Sequence, residues 1–167
     1  MPTACVMRSG RGHSPCSCAA RRAAAKAARG KTTLLRDLIR QLSDRFGWRI
    51  CVVDERLELA ACASGVPQFR LGARTDVLSG APKAAGIELL LRTMNPEWIA
   101  VDEITAEADI AAEGCGVRFL ATAHAADRRE LESRPLYRAL LQDGFFRMAA
   151  FLLPDRSVRI ERGLDYA

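Results

Sequence analysis

The sequence predicts an α/β fold with a mainly parallel sheet, helices on both faces and an antiparallel hairpin at the C-terminus. Two observations support this prediction. Short apolar runs, each long enough for one buried strand, alternate along the chain with segments whose apolar residues recur at helical spacing. Near the end of the chain, two strand-like runs at 145–153 and 157–162 are joined by only Pro154, Asp155 and Arg156, which is typical of a hairpin.

The first elements follow residue 30. Apolar residues at helical spacing predict a helix over 31–46, and Gly47 is suited to the position just after its end. Residues 49–55 form a β-branched run that closes in two acids, which indicates a buried parallel strand. Residues 62–82 are rich in glycine and proline, so they are expected to form an irregular surface excursion. A second helix is predicted over 83–94.

The second half of the chain repeats this pattern. A short apolar run over 98–103 again closes in two acids, a short helix is predicted over 105–113, and a third strand over 117–124 ends in polar residues. Only thirteen residues separate these two strands, close to the lower limit of about 10–12 for a parallel crossover. Residues 127–142 have a helical pattern, and Pro135 predicts a second helix start inside it.

Length and charge indicate one domain behind a basic leader. The chain has 167 residues, enough for a single domain with its own core. Residues 1–31 hold seven of the 25 Lys and Arg side chains and no acid, which leaves 18 basic against 20 acidic side chains in the rest. The net charge of +5 therefore belongs to the leader, and no specific nucleic-acid partner is expected. We expect a disordered basic leader over 1–29 and a folded domain over 30–167.

Cysteine usage and hydropathy exclude several classes of protein. The six cysteines include no C-x-x-C pair, so neither disulfides nor a metal framework is expected. The longest apolar run, Met148–Leu153, is far shorter than the roughly 20 residues that span a bilayer. Basic residues interrupt the alanine-rich stretch at 19–28, so a signal peptide is not predicted. A cytoplasmic location is expected.

One short motif suggests chemistry. Gly30, Lys31, Thr32 and Thr33 match the end of a phosphate-binding loop, G-x-x-x-x-G-K-[ST], and a predicted helix begins directly behind them. In such a loop backbone N–H groups cradle phosphates, the lysine reaches the β- and γ-phosphates and the hydroxyl binds Mg²⁺. The first glycine of the motif is replaced by Ala25.

Polar side chains at three strand ends extend this site. Asp102 and Glu103 fit a Walker-B arrangement, in which the aspartate holds Mg²⁺ and the glutamate polarises a water molecule. Thr122 and His124 follow the next strand, where a polar group can sense a γ-phosphate. We expect these groups to converge because the carboxyl ends of parallel strands share one edge of the sheet. Asp54 and Glu55 supply a further acidic pair at the neighbouring strand end.

Each signal also has an ordinary interpretation. A G-K-T-T tetrad occurs by chance, acid pairs often begin loops, and a single histidine can cap a helix or lie on the surface. The order of the signals along one short α/β chain favours a nucleotide-binding origin. A non-hydrolysing interaction protein and, less favoured, a small nucleotide kinase remain as alternatives.

In this order the motifs resemble those of the stage III sporulation protein AA family, whose members are related to the ATPases of type II and type IV secretion. The resemblance covers roughly residues 30–165. It rests on the segments Gly30 to Asp37, Val52 to Arg56, Gly65 to Gln68, Arg74 to Leu78, Leu90 to Arg92, Ala100 to Ile104 and Ala121 to His124.

The resemblance implies a RecA-like P-loop ATPase that uses ATP and Mg²⁺. It would act as a hexameric ring at a membrane, on the mother-cell side of a sporulating bacterium, and support a channel complex. Gly30, Lys31, Thr32 and Thr33 would bind the nucleotide, and Thr32 and Asp102 would hold the metal. The residues with an implied catalytic role are Glu103, His124 and Glu55, and Asp54 with Glu55 matches the acidic motif of the family.

The N-terminus departs from the family pattern. Residues 1–29 resemble neither the N-terminal region of the family nor its apolar strand and glycine-rich loop, as an altered or truncated reading frame would produce. Segment 105–116 is also short. Without the first strand, and with Ala25 in place of a glycine, the P-loop ATPase domain over 30–167 is incomplete. We therefore expect impaired nucleotide binding and turnover.

Overall fold

The computed structural model describes residues 3–8, 30–105, 116–155 and 157–164. They contain one seven-stranded sheet with helices on both faces. The strands are β1 (Thr3–Arg8), β2 (Ile50–Asp54), β3 (Thr75–Ser79), β4 (Trp98–Val101), β5 (Arg118–Ala123), β6 (Met148–Leu152) and β7 (Val158–Arg162). The helices are α1 (Lys31–Phe46), α2 (Lys83–Thr93), α3 (Arg128–Ser133) and α4 (Pro135–Gln142).

The strand order is β3-β2-β4-β5-β1-β6-β7. The four strands from β3 to β5 pair in parallel, whereas β1 runs antiparallel to both of its neighbours, β5 and β6. The last two strands form an antiparallel hairpin. The predicted fold class is confirmed, because four parallel strands flanked by helices, with an antiparallel hairpin at the C-terminus, are consistent with a RecA-like fold.

The sheet separates two hydrophobic cores. On one face α1 buries Leu34, Leu38 and Leu42 against side chains of the sheet such as Val52 and Leu120. The opposite face of the same strands packs against the other helices. Because alternate side chains of a strand point to opposite faces, the fully buried strands carry apolar residues at nearly every position. This explains the continuous apolar runs that predicted β2, β4 and β5.

Two strands lie where the sequence did not predict them. β3 lies within the segment 62–82 that was expected to be irregular, and it pairs with β2 in the register Ile50 to Thr75. β1 lies within the expected disordered leader 1–29 and occupies the position between β5 and β6. Neither segment carries the continuous apolar run that predicted the central strands, so each is defined by pairing with its neighbours.

The remaining predictions are met or lie outside the described residues. The helical pattern over 127–142 forms two helices that separate at Pro135, as predicted. The helix predicted over 105–113 falls almost wholly on residues 106–115, which the structure does not describe. None of the helices in the described part of the chain has the length and apolar character needed to cross a membrane.

Candidate functional site

The site lies at the carboxyl edge of the parallel strands, where α1 also begins. Gly30 precedes the helix with a φ of 112° and a ψ of −174°. Nothing lies within 4 Å of the place where its Cβ would be, so the backbone conformation, rather than lack of space, favours glycine here. Among the described residues, no side chain caps the N-terminus of α1 and no acid lies in its first turn. The first N–H groups of the helix and its positive dipole end favour an anion at this position.

Lys31, His124 and Glu103 form a chain of contacts at this edge. The Lys31 ammonium nitrogen Nζ lies 2.9 Å from Nδ1 of His124 and also contacts Nε2 of the same ring. His124 Nε2 lies 3.5 Å from Glu103 Oε2. An ammonium group only donates hydrogen bonds, so one ring nitrogen of His124 accepts from Lys31. Lys31 is the first residue of α1, Glu103 follows β4 and His124 follows β5.

The charge of Lys31 is set by opposing effects. Burial lowers the pKa of Lys31 from its ordinary value of 10.5, because a cation loses hydration there. The negative charges of Glu103, Asp102 and Glu58 oppose this change, and the positive charge of Arg134 adds to it. An anion placed against Lys31 would stabilise its charged form, which burial destabilises.

Asp102 is held by its neighbour on β5. The buried hydroxyl group of Thr122 donates a hydrogen bond of 2.7 Å to Oδ1 of Asp102. This bond links the ends of β4 and β5 and fixes the orientation of the carboxylate. The predicted convergence of Asp102, Glu103, Thr122 and His124 with the lysine motif is therefore observed.

Asp54 has a different setting from that expected of an acidic pair facing a ligand. Its carboxylate is buried and accepts hydrogen bonds from the backbone N–H groups of Glu58, Leu59 and Ala60, at 2.8, 3.0 and 2.7 Å. Three such bonds hold the chain in a tight turn directly after β2. Asp54 thus shapes the loop beside the site.

Glu55 lies in a separate contact. Its Oε2 is 3.3 Å from Nζ of Lys83, a buried lysine in the first turn of α2. No contact within the described part of the chain joins Glu55 to Lys31, Glu103 or His124. Contacts in the structure therefore join Lys31, His124 and Glu103 of the predicted site, and Glu55 lies outside this set.

Arg36, which links α1 to the loop after β2, was not predicted as a site residue. Its Nη2 donates to the carbonyl oxygen of Glu58 at 3.2 Å, and its guanidinium carbon lies 4.0 Å from the centre of the Phe69 ring. Burial lowers the pKa of Arg36, and the charges of Asp54 and Asp102 oppose that change. Its Nε is buried and has no hydrogen-bond partner among the described residues. In the sequence Arg36 looks like any solvent-facing helix residue.

The chain matches a known protein family over most of its length. Residues 19–159 match the family described as sporulation stage III, protein AA. The chain belongs to this sporulation stage III AA family. The match begins at residue 19, so part of the segment assigned to an unrelated leader lies within the family pattern.

A curated member of the sporulation stage III AA family gives the same result. Stage III sporulation protein AA of Bacillus subtilis (strain 168) is 39% identical over 125 residues, which are 70% of this chain and 41% of that protein. The chain thus spans about two fifths of the length of this relative. No solved structure matches the chain.

The residues at the family motifs fit a magnesium nucleotide in their donor chemistry. Within the described ranges, no cluster of three or more His, Cys, Asp or Glu side chains could hold a metal by itself. Mg²⁺ prefers oxygen ligands and is commonly held by one or two protein groups together with phosphates and water. The hydroxyl of Thr32 and the carboxylate of Asp102 are groups of this kind, and Lys31 with the open N-terminus of α1 suits phosphate.

Proposed function

We propose that the carboxyl edge of the sheet binds ATP with Mg²⁺ and hydrolyses it. The observation that carries the proposal is the chain of contacts from Lys31 through His124 to Glu103 at the uncapped start of α1. It places a cation, a positive helix end and a carboxylate around one point, as phosphoryl transfer to water requires.

Different residues of the chain would bind the phosphates, hold the metal and orient the attacking water. Lys31 and the first N–H groups of α1 would bind the phosphates, and Thr32 and Asp102 would hold Mg²⁺, which neutralises charge that develops on the phosphate oxygens. Glu103 would accept a hydrogen bond from the attacking water and orient it. His124 would keep Glu103 in position through its Nε2. Thr122 would do the same for Asp102, since it already donates to that carboxylate.

The proposed activity is weak in this chain. Position 25 is alanine, and β1 runs antiparallel to β5, so it leaves the sheet at the edge opposite Gly30. A parallel strand that delivers the chain directly to the loop is not among the described strands. We infer reduced nucleotide affinity, because a phosphate loop depends on backbone N–H groups held in advance.

A wider role is proposed from the resemblance to the family. We propose a hexameric ring that works beside a membrane channel complex on the mother-cell side, since ring motors use contacts between subunits that depend on the nucleotide. This part of the proposal concerns the whole family protein, of which the chain corresponds to a part.

Nucleotide binding tests the proposal directly. A fluorescent ATP analogue with Mg²⁺ should bind the full chain saturably, and Lys31→Ala should abolish binding. Arg92→Ala is the matched control, since it removes an exposed cation whose ion-pair partner among the described residues is Glu88 on α2. If the parent shows no saturable binding, or if Lys31→Ala binds as well as the parent, the phosphate-loop proposal is wrong.

Turnover separates the proposed ATPase from its alternatives. Phosphate release without any acceptor supports an ATPase, whereas transfer that requires a nucleoside monophosphate indicates a kinase. Glu103→Gln should bind the analogue and fail to release phosphate. Binding by the parent without any turnover would favour the non-hydrolysing interaction subunit. Sedimentation with and without nucleotide tests the ring.

A further inference from the structure

Residues 102–104 follow β4 and carry the two acids of the site. They belong to neither a helix nor a strand, and the paired register of β4 and β5 ends at Val101. Backbone groups beyond the sheet need other partners to stay in one conformation. Asp102 has such a partner in the Thr122 hydroxyl group. The position of the Glu103 carboxylate then depends on what holds the residue that follows it.

Tyr137 on α4 holds that next residue, Ile104. Its hydroxyl group donates a hydrogen bond of 2.9 Å to the carbonyl oxygen of Ile104. Both residues are buried, since Tyr137 is 3% exposed and Ile104 is 2% exposed, and their side chains belong to the same core. Water cannot readily replace a donor at a buried carbonyl group, so this bond restricts the backbone there. Glu103 therefore lies between two anchored residues, Asp102 and Ile104.

The helix that carries the hydroxyl group is itself anchored. Tyr137 is the third residue of α4, and the same helix also buries Leu140 and Leu141 in the core. Only Arg134 separates α4 from α3. The positive charge of Arg134 contributes to the lowered pKa of Lys31, which indicates that the start of α4 lies near the site.

α3 connects this helix pair to the segment that follows β5. The Glu130 carboxylate accepts a hydrogen bond of 2.7 Å from the N–H group of Ala126, and the Glu130 N–H group donates to Oδ1 of Asp127 at 2.9 Å. These two bonds fix the start of α3. Ala126 lies two residues after His124, whose ring faces the Glu103 carboxylate. The helix pair is therefore bonded to both segments that supply Glu103 and its neighbour.

We propose that Tyr137 is a positioning residue, which holds residues 102–104 in the conformation that directs Glu103 toward the attacking water. This inference rests on the proposed ATPase function. Tyr137 is buried, so it acts through the Ile104 carbonyl group rather than on the nucleotide. Catalysis is sensitive to such placement, because a displacement of about 1 Å can cost about a hundredfold in rate. Phosphate binding by Lys31 at the start of α1 does not involve this hydrogen bond.

The first test compares turnover with binding. Tyr137→Phe removes only the hydroxyl oxygen and keeps the ring in the core. We expect phosphate release to fall about tenfold or more, while the affinity for the fluorescent ATP analogue with Mg²⁺ changes by less than about twofold. Tyr137→para-aminophenylalanine restores an N–H donor on the ring and should recover most of the lost turnover.

Thr75→Val is the matched control. Thr75 also donates a hydroxyl hydrogen bond to a carbonyl oxygen, that of Leu71 at 2.8 Å, but it lies on β3 at the edge of the sheet. The substitution should leave both turnover and binding unchanged. Thermal melts of both variants check that each remains folded.

Backbone order tests the inference without nucleotide. In NMR relaxation measurements, the order parameters of the Glu103 and Ile104 N–H groups should be about 0.85 in the parent and below about 0.6 in Tyr137→Phe. The order parameters of α1 should be the same in the two proteins. Thr75→Val should match the parent at all of these positions.

The results distinguish failure of this inference from failure of the proposed function. The role of Tyr137 is wrong if Tyr137→Phe hydrolyses ATP at the parental rate, or if its order parameters equal those of the parent. An equal loss of turnover in Thr75→Val would also overturn it, because the effect would then reflect general stability. If the parent neither binds nor hydrolyses ATP, the proposed function fails. The order parameters then decide alone: a drop supports the hold of Tyr137 on residues 102–104, and unchanged order overturns it.

Discussion

Lys31 and His124 are 93 residues apart in the sequence, yet the lysine Nζ lies 2.9 Å from the histidine Nδ1. The contact joins the start of α1 to the end of β5. It also means that the lysine already has a protein partner before any phosphate arrives. An ammonium group has three N–H donors, so a bound phosphate would share Lys31 with His124 or compete with it, and the His124 prediction concerns this balance.

Substituting His124 should separate binding from turnover. His124→Ala removes the competing partner of Lys31, so the ATP analogue should bind about two- to tenfold more tightly, the equivalent of one hydrogen bond of about 0.5–1.5 kcal/mol. Phosphate release should fall, because Glu103 loses the group 3.5 Å from its carboxylate. His124→Asn retains an acceptor for Lys31 and should bind more like the parent. Weaker binding by His124→Ala would contradict this role for the contact.

The lowered pKa of Lys31 predicts how stability depends on pH. The folded chain binds this proton less tightly than the unfolded chain does, so protonated Lys31 destabilises the fold below its lowered pKa. The contribution of Lys31 to the free energy of unfolding should therefore increase as the pH rises from its lowered pKa toward 10.5. Lys31→Met should raise the melting temperature near neutral pH and remove the rise at alkaline pH. Thermal melts over this range measure both, and a lower neutral melting temperature for the variant would refute the prediction.

Asp54 should matter for stability more than for chemistry. Asp54→Ala leaves three N–H groups without their acceptor, two of them on the buried residues Leu59 and Ala60. We expect a loss of about 2–4 kcal/mol in the free energy of unfolding, measured with urea. Asp76→Ala on β3 removes an exposed carboxylate and should leave the midpoint unchanged. Equal midpoints for Asp54→Ala and the parent would show that the turn does not need the carboxylate.

Gly86 allows α2 to approach the sheet closely. A Cβ at this position would lie 2.8 Å from Cγ1 of Val53 and 3.2 Å from Cδ2 of Leu78. Gly86→Ala should therefore destabilise the protein by about 1 kcal/mol, since overpacking costs more than the gain in helix propensity. In a Val53→Ala background the same change should be neutral or stabilising. Urea unfolding of the four proteins gives this coupling, and an additive result would contradict the steric explanation.

Much of the candidate site could be predicted because its signals are local. Gly30 and Lys31 open a helix with clear apolar spacing, and Asp102 and Glu103 end a run of four buried strand residues. The carboxyl ends of parallel strands lie at the same edge of the sheet, independently of the loops that connect the strands. His124 follows β5 for the same reason.

Contacts between distant segments could not be predicted in this way. Asp54 and Glu55 look alike as an acidic pair after β2, but the first accepts N–H groups of its own loop and the second meets Lys83 on another element. Arg36 differs from its helical neighbour Arg40 only in what lies opposite, since Arg40 pairs with Asp37 while Arg36 reaches the loop after β2.

The sequence by itself determined the alternation of strands and helices, the place where α1 begins and the residues at the ends of β4 and β5. These features follow from side-chain periodicity and backbone preference, which act over a few residues. Only the tertiary structure decided that β1 and β3 join the sheet, that Asp54 shapes a loop and that Lys31 meets His124. A strand without a strong local pattern gains its stability from a neighbour's hydrogen bonds, and a charged side chain takes its role from the groups that folding brings to it.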